Sequence, residues 1–154
     1  MEKAPEELFQ EREKRVNDAV QLKEPDRVPI MCLSGFFPAY YAGITCEEAM
    51  YDFEKCLKAW TLYLEDFEPD MTDNPFTTRF LGAVLEALDF KQLKWPGHGL
   101  DEMASYQFVE DEYMMADEYD RLLYDPTDFM IRTYWPRVFG KASKGFKTPK
   151  TRGQ

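Results

Sequence analysis

Apolar residues recur every three or four positions at Ala49, Met50, Phe53, Leu57, Trp60, Leu64 and Phe67. That spacing predicts one long amphipathic helix. Thr45-Cys46-Glu47-Glu48 just before it is a capping box, in which Thr45 caps and Glu48 reaches back. Pro69 stops the helix. Residues 5–24 predict a first helix, with Pro5 in its first turn and Glu6 and Glu7 where the dipole favours acids. Its apolar stripe of Phe9, Val16, Ala19 and Val20 is thin, which suits a helix on the surface of something larger. Pro25 ends it. The run Val28-Pro29-Ile30-Met31-Cys32-Leu33 is nearly continuous in apolar character and predicts a short strand buried on both faces.

The second half is more broken. Asp70 to Asn74 predicts a short strand or strand end, and residues 79–88 a short helix. Phe90 to Trp95 alternates as a strand does, WPGHGL is a turn, and Tyr106 to Tyr113 reads as strand or loop. Asp117 with Asp120 predicts a cap for a helix ending near Tyr124. Asp125-Pro126-Thr127-Asp128 opens another helix, which Pro136 ends or kinks. Short strands alternating with longer helices predict α/β construction.

Composition narrows the class. The chain has 154 residues, 44% hydrophobic and 16% aromatic, enough for a core within one domain of ordinary size. No apolar run approaches the roughly 20 residues that span a bilayer. The charged N-terminus has no apolar leader, and three cysteines are too few for a disulfide framework. These features predict a cytoplasmic protein with free thiols. The basic residues of 141–154 stand apart as a tail, either a disordered end or a small electrostatic patch. Residues 1–140 hold 14 basic and 29 acidic residues, a net −15. Such a body repels phosphate backbones, so neither a nucleic-acid nor a membrane partner is expected.

Residues able to carry chemistry fall in a few clusters. Asp70 and Asp73 suit acid–base work as paired carboxylates if both sit at the C-terminal end of a strand; otherwise they are structural. Glu65, Asp66 and Glu68 read as a solvated helix end. The stretch fails as a calcium loop, with Met71 and Thr77 where glycine and glutamate belong. His98, between two glycines in Trp95-Pro96-Gly97-His98-Gly99, is either a proton carrier contacting a ligand or a polar residue in a tight turn. It is the only histidine, and Cys32, Cys46 and Cys56 are widely spaced, so zinc is poorly supported. Cys32 and Cys56 read as inert core. Phe36, Phe37, Tyr40 and Tyr41 either line an apolar pocket or cover the core.

Glu24-Pro25-Asp26-Arg27-Val28-Pro29-Ile30 after a charged helix resembles the opening of the uroporphyrinogen decarboxylase superfamily. That superfamily includes the decarboxylase and the corrinoid-linked methyltransferases. Gly43-Ile44-Thr45, Phe67-Glu68-Pro69-Asp70 and the stretch Tyr119 to Gly140 extend the resemblance over about residues 8–140. It implies the N-terminal part of a helix-rich TIM-type (β/α)8 barrel with its site at the C-terminal ends of the strands. It further implies Asp70, Asp73 and His98 as catalytic residues and Phe36, Phe37 and Tyr40 as substrate-binding ones. The family's conserved aspartate maps to Asp70 or Asp73.

This chain departs from the decarboxylase pattern Arg-Gln-Ala-Gly-Arg-Tyr. Cys32-Leu33-Ser34-Gly35-Phe36-Phe37 keeps only the glycine and loses both arginines, the groups suited to tetrapyrrole carboxylates. The methyltransferases carry zinc ligands, a His-x-Cys pair and a distant Cys, in a second half beyond these residues. The resemblance therefore implies a partial methyltransferase-type protein, acting on a small molecule or a corrinoid protein. No cofactor is expected in this chain, with zinc and a corrinoid for a full-length form. The alternative is a shortened, non-catalytic paralogue serving as a partner subunit or binding module. A barrel typically takes about 250 residues, so the chain is expected to be inactive alone and to self-associate or dock with a chain supplying the missing half. A compact small α/β domain is the competing outcome.

Overall fold

The computed structural model describes residues 3–141. Almost all of the basic tail lies outside them. The chain divides into two compact units, Met1–Phe80 and Leu81–Gln154. Both are helix-rich with small sheets. Among the described residues the strands form a two-stranded and a three-stranded sheet, not a closed barrel.

The first unit opens with helix α1, Pro5–Val20. It stops short of residue 24 because Leu22 turns into the left-handed region at φ 59°, and the Lys23 amide bonds back to the Asp18 carbonyl. Strand β1, Met31–Cys32, pairs in parallel with β2, Met71–Thr72, with Met31 opposite Met71 and Cys32 opposite Thr72. The link between two parallel strands must cross over, and three helices fill it. They are α2 (Phe37–Ala42), α3 (Cys46–Tyr51) and α4 (Phe53–Phe67).

The capping box forms as expected. The Glu48 amide donates to Thr45 Oγ1 at 3.0 Å, and the Thr45 amide to the Glu48 carboxylate at 2.9 Å. The single long helix does not form. Asp52 is extended, and its carboxylate accepts the Lys55 amide at 3.0 Å, so it ends α3 and caps α4. Aspartate competes for backbone donors in this way, and here it overrides the continuous apolar spacing. The core is Ala39, Cys46, Ala49, Met50, Cys56, Ala59, Trp60 and Tyr63, where α2 and α3 pack on α4. A short helix α5, Pro75–Thr78, follows β2.

The expected strand over Val28 to Leu33 shrinks to two residues, and it is not buried on both faces. Val28 is 81% exposed and Leu33 73%, while Ile30 and Met31 are also open. A two-stranded sheet has too few neighbours to cover them.

In the second unit, α6 (Gly82–Leu88) leads to β3 (Leu93–Pro96). A tight turn brings β4 (Gly99–Leu100) beside β3, and β5 (Gln107–Phe108) pairs with β3 antiparallel, Leu93 opposite Phe108. A 3-10 turn at Ala116–Glu118 precedes α7, Tyr119–Tyr124. The Glu118 carboxylate accepts the Met115 amide at 2.8 Å at the start of that 3-10 turn, and α7 itself has no side-chain cap, so neither Asp117 nor Asp120 serves as one. Asp125 caps α8, Pro126–Phe129, as its sequence implies. Pro136 neither ends the chain of helices nor breaks it. A π-helical turn at Met130–Tyr134 runs into α9, Trp135–Val138; widening the preceding turn accommodates a residue that lacks an amide hydrogen. Trp95, Phe129 and Val138 form the buried centre. Arg137 ties the unit together, donating twice to Glu118 at 2.7 Å and once to the Tyr113 carbonyl at 3.0 Å.

Candidate functional site

Two carboxylates three residues apart sit at opposite ends of β2. Asp70 precedes the strand and Asp73 follows it. An extended segment of three residues spans about 10 Å, so these side chains do not form a pair, and the two have unlike surroundings.

Asp70 lies in an ion-pair clamp. Its side chain is 0% exposed. Arg15 Nη1 approaches Oδ1 at 2.5 Å, Arg27 donates to both oxygens at 2.6 and 2.8 Å, and the Ile30 amide donates at 2.8 Å. Arg15 is itself held by Asp26 through a two-point contact at 2.7 Å. Burial pushes the Asp70 carboxyl up, but the Ile30 amide and the two guanidinium groups outweigh it and hold the group below its ordinary value. Asp26 is brought down to about 2, chiefly by its bond to Arg15. The clamp joins α1, the 26–30 segment and the start of β2.

Asp73 occupies the other end, where both parallel strands finish. The Ser34 amide and hydroxyl approach its Oδ1 at 3.3 and 3.4 Å, and Arg79 Nη2 stands 3.5 Å from Oδ2. Arg79 Nε donates to the Gly35 carbonyl at 2.8 Å, and its guanidinium lies over the Phe36 ring, 5.5 Å from the centroid. Gly35 takes φ 59°, and a Cβ there would meet nothing within 4 Å. Glycine is therefore needed for the bend after β1, not for space. Tyr63 rises from α4 beside this cluster. Burial, a hydrogen bond with Cys32 and the negative charge of Asp73 push its hydroxyl up to about 12. The strand ends thus gather a carboxylate, a guanidinium, a hydroxyl and a phenol around a glycine bend. Such a set can accept and donate hydrogen bonds to a polar ligand.

Neither a family model, a curated protein nor a solved structure matches the chain.

The aromatic candidates separate. Phe36 is buried under Arg79. Phe37 is half-exposed and packs edge-on against Tyr63 and Phe67 at 5.9 and 5.5 Å. Tyr40 is hydrogen-bonded to Cys46, which with burial pushes its hydroxyl up to about 12. His98 belongs to the second unit. Its ring stacks on Trp95 at 4.2 Å and 8°, its Nδ1 lies 3.7 Å from Glu86, and its backbone closes the turn with Trp95 through two hydrogen bonds. Gly97 and Gly99 both take positive φ in that turn. Of the acidic helix end, Asp66 accepts the Tyr41 hydroxyl at 2.8 Å.

Burial pushes the Cys56 thiol up to about 11 and raises that of Cys46, whereas Cys32 is half-buried. Among the described residues no group of three or more His, Cys, Asp and Glu converges as a metal site would require.

Arg79 joins this site without being among the residues its sequence pattern singles out. Its signal was present: it is the only charged residue between Asp73 and Glu86. A lone arginine in an apolar stretch needs a partner if it is buried. Arg15 had no such signal, because α1 is charged throughout.

Proposed function

We propose that this chain is the N-terminal portion of a uroporphyrinogen-decarboxylase-like (β/α) barrel, of the corrinoid-linked methyltransferase type. The observation that carries the reading is the division of labour along β1 and β2. The parallel strands are joined through helices, as a barrel's first two are, and their C-terminal ends hold the Asp73 cluster. In such barrels function gathers at that end and stability at the other. The residues that carry the resemblance, Asp26, Arg27 and Asp70, meet in one clamp at the stabilising end. Asp73 then takes the place of the family's aspartate, with Ser34 and Arg79 positioning it and Phe36 flooring the site. The absence of arginine at Cys32 to Phe37 favours the methyltransferase type over a porphyrinogen decarboxylase. Its substrate is a small molecule or a corrinoid protein, with zinc and the corrinoid held by residues beyond this segment.

The coding region downstream of Gln154 tests this. An in-frame continuation with a His-x-Cys pair and a distant cysteine supports the reading. A continuation lacking any such ligands overturns it. A stop codon favours a non-catalytic binding module, for which the open side chains of Val28, Ile30, Met31 and Leu33 supply a surface.

A further inference from the structure

We propose that α1 is a dimerisation element that pairs antiparallel with α1 of a second copy of this chain. An apolar groove of about 560 Å³ runs between α1 and the segment from the end of α4 into β2, with Phe9 and Val16 on one wall and Leu64 and Met71 on the other. Phe9 is 65% exposed at its edge, on the apolar stripe of a sixteen-residue helix. An apolar ring left open beside an apolar groove is a knob next to a hole. Two copies related by a two-fold axis can each place a knob in the other's hole.

Charge decides the partner and the direction. Arg12 and Glu13 sit side by side in the groove lining. Their neighbours are engaged: Glu11 with Lys3, Lys14 with Asp18, Arg15 with Asp26 and Asp70. Neither Arg12 nor Glu13 has an ion pair among the described residues. An axis passing between residues 12 and 13 sets Arg12 of each copy against Glu13 of the other. The same axis sets Phe9 against Val16 and Pro5 against Val20, each contact occurring twice. A parallel pairing would instead set Arg12 against Arg12 and Glu13 against Glu13, which repel. The α1 surface is therefore complementary to itself in one orientation.

The full chain is examined by sedimentation velocity at 1–100 µM, roughly the range of a small interface. The expected result is a concentration-dependent dimer. Arg12→Glu and Glu13→Arg are each expected to weaken it roughly tenfold or more, since each alone opposes like charges. Far-UV circular dichroism confirms that these surface variants remain folded. Mixing the two variants restores opposite charges at both sites, so an equimolar mixture dimerises more tightly than either component alone. The double variant R12E/E13R also dimerises. A wild-type chain that stays monomeric at 100 µM overturns the proposal. So do reversals without effect, or a mixture that fails to associate. Loss of the dimer in Phe9→Asp alone, with both reversals inert, assigns the groove to a different packing and equally overturns this one.

Discussion

Replacing Asp70 by asparagine should cost far more stability than the same change at Asp73. The side chains are alike in size, so packing is preserved and only charge and hydrogen bonding change. At Asp70 the variant puts an NH2 group among donors. The Arg15 guanidinium, the Arg27 guanidinium and the Ile30 amide all point at the carboxylate. Arg27 is 44% exposed and can turn to water, and Arg15 keeps Asp26. Arg15 nevertheless remains buried with half of its compensation gone. Removing one partner from a buried pair costs about 3–5 kcal/mol, and retention of Asp26 places D70N near the lower end. At Asp73 the contacts are 3.3 to 3.5 Å long, and a loss of about 1 kcal/mol or less is expected. Urea unfolding at pH 7, followed by tryptophan fluorescence, measures both. With a slope of about 1.5 kcal/mol per molar, 3 kcal/mol moves the midpoint by roughly 2 M. Equal shifts for the two variants, or a D70N shift under about 0.5 M, would refute the clamp as the anchor of α1 and β2.

Acid should unfold the protein through paired carboxylates. Asp26 is brought down to about 2 by Arg15, and Glu118 to about 2 by Arg137, while Asp70 is also depressed by its amide and guanidinium partners. Depressed groups stabilise the fold above their unfolded values near 4, and that stability drains away as pH falls toward 2. Urea midpoints should therefore be flat from pH 7 to 5 and drop below pH 4; a midpoint rising on acidification contradicts this. Cys32 should react with Ellman's reagent in the native protein, whereas Cys46 and Cys56, buried and with raised thiols, should react only on unfolding; a fast phase surviving Cys32→Ser would be the wrong outcome. Incubation with uroporphyrinogen should yield no products with fewer carboxyl groups on chromatography, because both arginines of the decarboxylase pattern are missing.

Local chemistry was legible in the sequence where one residue acts on its own neighbours. The Thr45 capping box, the Asp125 cap and the glycine turn around His98 all form where the spacing of residues places them. Helical identity from Cys46 to Phe67 was legible too, since the apolar interval reports a face. The break at Asp52 was not, because a cap competing with a continuing helix is decided by small differences that spacing does not record. Asp70 and Asp73 mark the deeper limit. Both are acids beside a proline-stopped helix, and nothing local distinguishes them. Tertiary structure does so by bringing Arg15 from 55 residues away to one and Ser34 from 39 residues away to the other. An ionisable side chain takes its character from groups that meet it only on folding, so its type was determined by the sequence and its task by the parallel pairing of β1 with β2.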